Sequence, residues 1–153
     1  MALFLVQHGK SLPKDKDPDQ GLSEEGKSDV GRIADVARHY GISVSCIKHS
    51  GKKRAQQTAY IFASALNPEN GVQKRSGLKP LDEVETLASE IDEKDNLMFV
   101  GHLPFMERLT SYLITGSTDK PVFKFQNGGI LCMDQYPNTN FWVIKWALQP
   151  NIE

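Results

Sequence analysis

Three residues far apart in the chain, His8, Arg54 and His102, have the types and settings that phosphoryl chemistry uses. His8 closes the run in "LFLVQHGKS", His102 closes "NLMFVGH", and Arg54 sits in "HSGKKRAQQTA". A neutral imidazole attacks phosphorus when one ring nitrogen has a free lone pair and the other is held as N–H. A rigid strand end fixes such a ring in line with a departing group, and the small Gly9 lets backbone and phosphate approach closely. A guanidinium in the first turn of a helix starting near Ser50 forks onto phosphate oxygens, and the free amides there add to the anion field. A second imidazole donor neutralises charge on a transferring phosphoryl group. Each piece alone has a plainer reading. A lone strand-end histidine is a hydrogen-bonded structural residue, and Lys52-Lys53-Arg54 is a solvated basic turn.

The opening "HGKS" also invites a nucleotide-binding loop. That motif, G-x-x-x-x-G-K-[ST], needs glycine where Phe4 stands, and Gly51-Lys52-Lys53 lacks the hydroxyl residue. The nucleotide loop is excluded.

The elements that must position these residues follow from periodicity. "LFLV" predicts a first strand. Ser23 is the predicted N-cap of a helix whose Val30, Ile33, Ala34 and Ala37 share one face, ended by Gly41. "ISVSCI" (42–47) predicts a strand, followed by a helix through Ala55, Ala59, Ile61, Phe62 and Leu66. "VQK" (72–74) is a short strand, 83–93 a weaker helix, and "NLMFVGH" a strand that again delivers Gly and His. Pro104 suits a first helical position, with Met106, Leu109 and Leu113 as the buried stripe. "GILCMD" (129–134) and "FWVIKWAL" (141–148) predict a hairpin across "QYPNTN", and Asn127 in "FQNGGI" reads as a turn residue. The expected fold is an α/β three-layer sandwich: a mostly parallel central sheet, helices on both faces, and a C-terminal antiparallel hairpin. Ligands then bind beyond the carboxyl ends of the strands, where His8, Ser50 to Arg54, and His102 all fall.

Composition narrows the function classes. The 153 residues suit one ordinary domain, and 39% hydrophobic with 24% charged residues reads as globular. A net charge of -1 offers no bulk attraction to nucleic acid or to an anionic membrane. Cys46 and Cys132 lie in apolar segments without CxxC spacing and read as buried free thiols of a reduced compartment. The start is too short in apolar residues for a signal peptide, and no window approaches a membrane span, so a cytoplasmic protein is expected. Asp15, Asp17 and Asp19 in the loop "SLPKDKDPDQG" lack calcium-loop spacing, and the histidines lack zinc spacing. No metal and no cofactor are expected.

In order along the chain, "LFLVQHGKS", "LSEEG", "HSGKKRAQQTA", "VGHLPFMERL" and "FQNGGILCMD" resemble the histidine phosphatase superfamily, and most nearly its short SixA-type phosphohistidine phosphatases. The resemblance spans nearly the whole chain. It implies one domain over residues 1–153 with the phosphoglycerate mutase-like fold and no cap insertion. It implies His8 as the nucleophile that forms a phosphohistidine intermediate, with Arg54 and His102 completing the catalytic set. Gln7, Gly9, Lys10, Ser50 and Lys52 are the expected substrate-binding residues. The family's usual arginine before the nucleophile is Gln7 here, which lacks the charge and the bidentate fork, and Lys10 or Lys52 can restore a positive charge.

Larger members of the superfamily supply an acid to an alkoxide leaving group. Asp82, Glu83 and Glu85 read more simply as the solvated start of a helix, where acids favour the dipole. An imidazole leaving group needs an acid less, because its conjugate acid has a pKa of ~6.5. The expected substrate is therefore phosphohistidine on a protein. The alternatives are a small phosphomonoester substrate, or a non-catalytic phosphate- or phosphoprotein-binding role.

Overall fold

The structure, a computed structural model, describes residues 1–152. Strands β1 (Leu3–Gln7), β2 (Cys46–His49), β3 (Val72–Lys74), β4 (Leu97–Gly101), β5 (Ile130–Gln135) and β6 (Trp142–Leu148) form one sheet in the order β3-β2-β4-β1-β5-β6. Pairing is parallel from β3 through β2 and β4 to β1, and antiparallel from β1 to β5 and β5 to β6. The helices are α1 (Glu24–His39), α2 (Lys53–Leu66), α3 (Val84–Ala88) and α4 (Phe105–Thr115), with a 3-10 turn at Glu93–Asp95. The expected α/β architecture, with its terminal hairpin, is what the chain forms.

Strand alternation sorts the core into two layers, because successive side chains point to opposite faces. Phe4 and Val6, with Met98, Val100, Ile130 and Cys132, face Val30, Ile33 and Ala34 of α1 and Ala55, Ala59 and Phe62 of α2. Leu3 and Leu5, with Phe99, Leu131 and Met133, face Val84 and Leu87 of α3 and Phe105, Met106 and Leu109 of α4. Both cysteines are free and buried. No helix among the described residues is long and apolar enough to cross a membrane.

Local signals explain most boundaries. The Ser23 side chain accepts from Gly26 N at 3.0 Å, and Gly41 leaves α1 with φ 72°. Three boundaries differ from expectation by three residues or more, while α4 starts one residue late, at Phe105 with Pro104 as its N-cap. Strand β2 starts at Cys46 rather than at Ile42, because its register is fixed by Cys46↔Leu97 through His49↔Val100 on β4. The polar Lys48 and His49 that complete it are invisible to an apolar pattern. Helix α2 begins at Lys53, capped by Lys52, and not near Ser50. Helix α3 stops at Ala88, where the Ser89 hydroxyl bonds back to the Thr86 carbonyl at 2.8 Å.

Helix α1 packs against the segment leaving β1. Ser23 N and Ser23 Oγ both donate to the Lys10 carbonyl, at 2.9 and 3.2 Å, and a Cβ at Gly26 would run into that carbonyl. Gly31, in the same helix, has open space where its Cβ would be. Gly26→Ala is expected to cost about 1–3 kcal/mol through backbone displacement. Gly31→Ala is expected to gain roughly 0.5–1 kcal/mol through helix propensity. Thermal or denaturant unfolding of the two variants checks the opposite signs.

Candidate active site

Strands β2, β4 and β1 are neighbours and parallel, so their carboxyl ends lie along one edge of the sheet. His8 follows β1, His102 follows β4, and Ser50 follows β2. The His8 and His102 ring centroids are 5.0 Å apart with planes tilted by 53°. Arg54, in the first turn of α2, points its Nε at His8 Nε2 across 3.3 Å. Ser50 Oγ and His102 Nε2 share a hydrogen bond of 2.6 Å.

The His8 ring is oriented by its own backbone. Its Nδ1 lies 2.7 Å from the Gly9 carbonyl oxygen, which can only accept, so Nδ1 carries the proton. Nε2 then holds the lone pair, and it is Nε2 that faces Arg54. Gly9 is itself pinned, since its N–H donates to Thr58 Oγ1 at 3.0 Å and Thr58 Oγ1 donates to the Arg54 carbonyl at 2.8 Å. Thr58 is fully buried on α2. One side chain thus couples the loop carrying His8 to the helical turn carrying Arg54.

The His8 backbone is fixed from both sides. Its N–H donates to the Gly101 carbonyl at 3.0 Å, and Asn127 Nδ2 donates to its carbonyl at 3.0 Å. Asn127 does make the turn that its sequence setting predicts, with Gly129 N donating to the Gln126 carbonyl at 3.0 Å, while Gly128 N donates to the Gln7 carbonyl at 2.9 Å. Its grip on His8 could not be inferred from a turn signal. Gly128, at φ 82°, takes the left-handed conformation that this turn requires.

Both imidazoles are neutral near pH 7. Burial is the main cause of the His8 shift to about 4; its Gly9 contact opposes the shift and the Arg54 charge adds to it. Burial also takes His102 down to about 3, helped by His8 and by the charges of Arg54 and Lys52. Lys52 is thus close enough for its charge to be felt. The Lys10 ammonium lies 2.7 Å from Glu25 Oε1.

Gln7 ends β1 and is 8% exposed, and its Oε1 is buried without a hydrogen-bond partner. The same holds for His102 Nδ1. Buried polar atoms are nearly always paired, so two exceptions at one sheet edge mark a place where folding has left capacity unused. Asp82 is folded back onto the Lys79 amide at 2.9 Å, while Glu83 and Glu85 are exposed. None of the three bonds to His8, Arg54 or His102 among the described residues. No three His, Cys, Asp or Glu side chains among the described residues gather as metal ligands.

Comparison with known proteins bears on this geometry. The protein histidine phosphatase SixA complexed with tungstate has the same fold, with a TM-score of 0.80 at 19% identity over 98% of this chain and 97% of that one. SixA from Agrobacterium tumefaciens, designated a phosphohistidine phosphatase, gives 0.76 at 25% identity, covering 97% of each chain. A mycobacterial glucosyl-3-phosphoglycerate phosphatase in complex with VO3 gives 0.69 at 15% identity, over 95% of this chain and 97% of that one. No curated protein is significantly similar in sequence. The profile of the histidine phosphatase superfamily (branch 1) matches residues 3–96, a span that includes His8 and Arg54 and stops short of His102. That span is more than half of the sequence, and the chain belongs to the histidine phosphatase superfamily, branch 1.

Proposed function

We propose that this phosphatase-superfamily chain hydrolyses phosphohistidine on a protein, through a phosphoryl intermediate on His8 Nε2. The observation that carries the reading is the hydrogen bond between His8 Nδ1 and the Gly9 carbonyl, which leaves Nε2 unprotonated and directed at the Arg54 guanidinium. In the structure that lone pair accepts from Arg54 Nε–H; a phosphoryl group that draws the guanidinium onto its own oxygens frees Nε2 for in-line attack.

On this reading Nε2 forms a bond to phosphorus as the phosphorus–nitrogen bond to the substrate breaks. The second nitrogen of the substrate imidazole takes a proton from solvent before the bond breaks, so the bonding pair leaves on a neutral imidazole. Arg54, the amides at the start of α2, Ser50, Lys52 and His102 hold the phosphoryl oxygens, with Gln7 as a neutral donor and Gly9 providing clearance. Lys10, engaged with Glu25, flanks the site from the loop. Water then attacks phosphorus, the bond to Nε2 breaks, and the proton lost by water departs with the phosphate. Residues 1–153 act as one histidine phosphatase-like domain without a cap insertion. Among the described residues Asp82 bonds to the Lys79 amide and Glu83 and Glu85 are exposed, an arrangement that suits a leaving group needing little protonation, such as phosphohistidine.

Rapid quench after mixing with a phosphohistidine peptide should give an acid-labile phosphoryl group on His8, absent from His8→Ala. Turnover should fall on the order of 10^4-fold or more in that variant, as when other enzymes lose a nucleophile. A kcat/KM larger for phosphoserine or sugar phosphates than for phosphohistidine would assign the monoester reaction instead. Absence of both label and turnover on every donor would leave phosphate binding alone.

The pH dependence has a definite sign. Free histidine has a pKa near 6.5, and His8 and His102 lie near 4 and 3 in the folded protein. The folded state therefore binds fewer protons, and stability rises with pH across this interval. As pH falls from about 6.5 through about 4, that stability should be lost. His8 should stay deprotonated down to the acid end of this window. NMR titration of the ring protons checks it, and a His8 midpoint near 6.5 would contradict the burial argument.

A further inference from the structure

The segment from Ser11 to Leu22 is rigidly built although it has no helix or strand. Ser11 and Leu22 form a bridge, and Leu12 N donates to the Gly21 carbonyl at 2.8 Å. The Asp17 carboxylate accepts from Asp19 N at 3.1 Å and from Gly21 N at 2.8 Å, and it pairs with Lys53 Nζ at 2.9 Å. Those bonds hold the Asp17 carboxyl down to about 2, so it stays charged. Leu22 N donates to Gln57 Oε1 at 2.6 Å, which fastens the segment to α2 a second time.

Between this segment and the start of α2 lies a cleft of about 510 Å3 lined by Lys14, Pro18, Asp19, Gln20, Lys52, Lys53 and Arg54. Arg54 forms one wall and also donates to His8 Nε2, so one guanidinium adjoins both the cleft and the proposed nucleophile. Its charges are unequally matched. Lys53 is paired with Asp17 and also feels Asp19. Lys14 and Lys52 make no ion pair among the described residues. The volume falls within the ~300–1,000 Å3 of ligand sites, but those are mostly apolar, and here Pro18 is the one apolar residue.

We infer that this cleft is an anion subsite that receives the acidic flank of the phosphorylated protein, beside the phosphohistidine bound at His8. The inference rests on the proposed function for its substrate and adds which sequence around the phosphohistidine is preferred. With Lys52 engaged by the phosphoryl group, the Lys14 ammonium on the bonded segment attracts the flanking carboxylate. The polar lining suits extended side chains of a protein rather than an apolar small molecule.

The test uses the full chain carrying His8→Ala, which binds without turnover, or His8→Asn should the alanine variant not fold. The probes are fluorescein-labelled phosphohistidine peptides identical except for flanking Glu or Lys residues, read by anisotropy. The Glu-flanked peptide should bind about tenfold more tightly at low salt. That gap should narrow as salt rises and screens exposed charges. Adding Lys14→Glu should close or reverse it. Equal binding, tighter binding of the Lys-flanked peptide, no binding of either, or equal weakening of both by Lys14→Glu would overturn the subsite. Phosphoramidate hydrolysis by the unaltered protein reports separately on the proposed function. A chain that selects the acidic peptide yet leaves phosphoramidate intact would keep the subsite and lose the reaction.

Discussion

The site depends on one hydrogen bond of 2.7 Å between His8 Nδ1 and the carbonyl of the next residue. A carbonyl has no proton to give, so the bond selects the tautomer. It also fixes ring orientation, provided that the Gly9 peptide cannot turn. Thr58 holds the Gly9 amide, Asn127 and Gly128 hold the His8 carbonyl, and Gly101 holds the His8 amide. Those partners come from α2, from the turn before β5, and from β4. Tertiary structure therefore sets the protonation pattern of a single imidazole.

Charge explains why the two rings can sit 5.0 Å apart beside a guanidinium. Two imidazolium ions in that place would repel each other and Arg54 in a poorly solvated setting. Burial removes the conflict by keeping both rings neutral, which leaves Arg54 as the fixed cation in contact with His8.

Much of this was legible in the chain. The apolar runs ending in Gln7-His8 and Gly101-His102 gave both strand ends, and the helical spacing of Ala55, Ala59 and Phe62 gave the element that carries Arg54. Parallel order then required those ends to share an edge. Thr58 was not legible, because a threonine on the buried face of a helix looks like a core residue until its hydroxyl is seen between Gly9 and Arg54. Asn127 offered either a pocket contact or a turn, and the turn was the simpler reading, since a side-chain amide reaching 119 positions back leaves no periodic trace. The late start of β2 was hidden for a related reason: pairing with β4, rather than local hydropathy, decides where that strand begins. Long-range hydrogen bonds that orient a site are written in three dimensions, whereas the burial that positions its elements is written in period.

On the proposed mechanism, Gln7 puts a neutral amide beside the nucleophile. An arginine there would add a charge-assisted contact, roughly twice as strong as a neutral one. Part of that added strength would be felt equally by bound substrate, transition state and phosphate product. Uniform binding lowers KM without raising kcat, and it slows release of an anionic product. The groups that distinguish attack from binding are the Nε2 lone pair and the Arg54 guanidinium aligned with it, and neither depends on position seven for its hydrogen bonds. On the proposed mechanism, the amide weakens the hold on phosphate while leaving the geometry of attack in place.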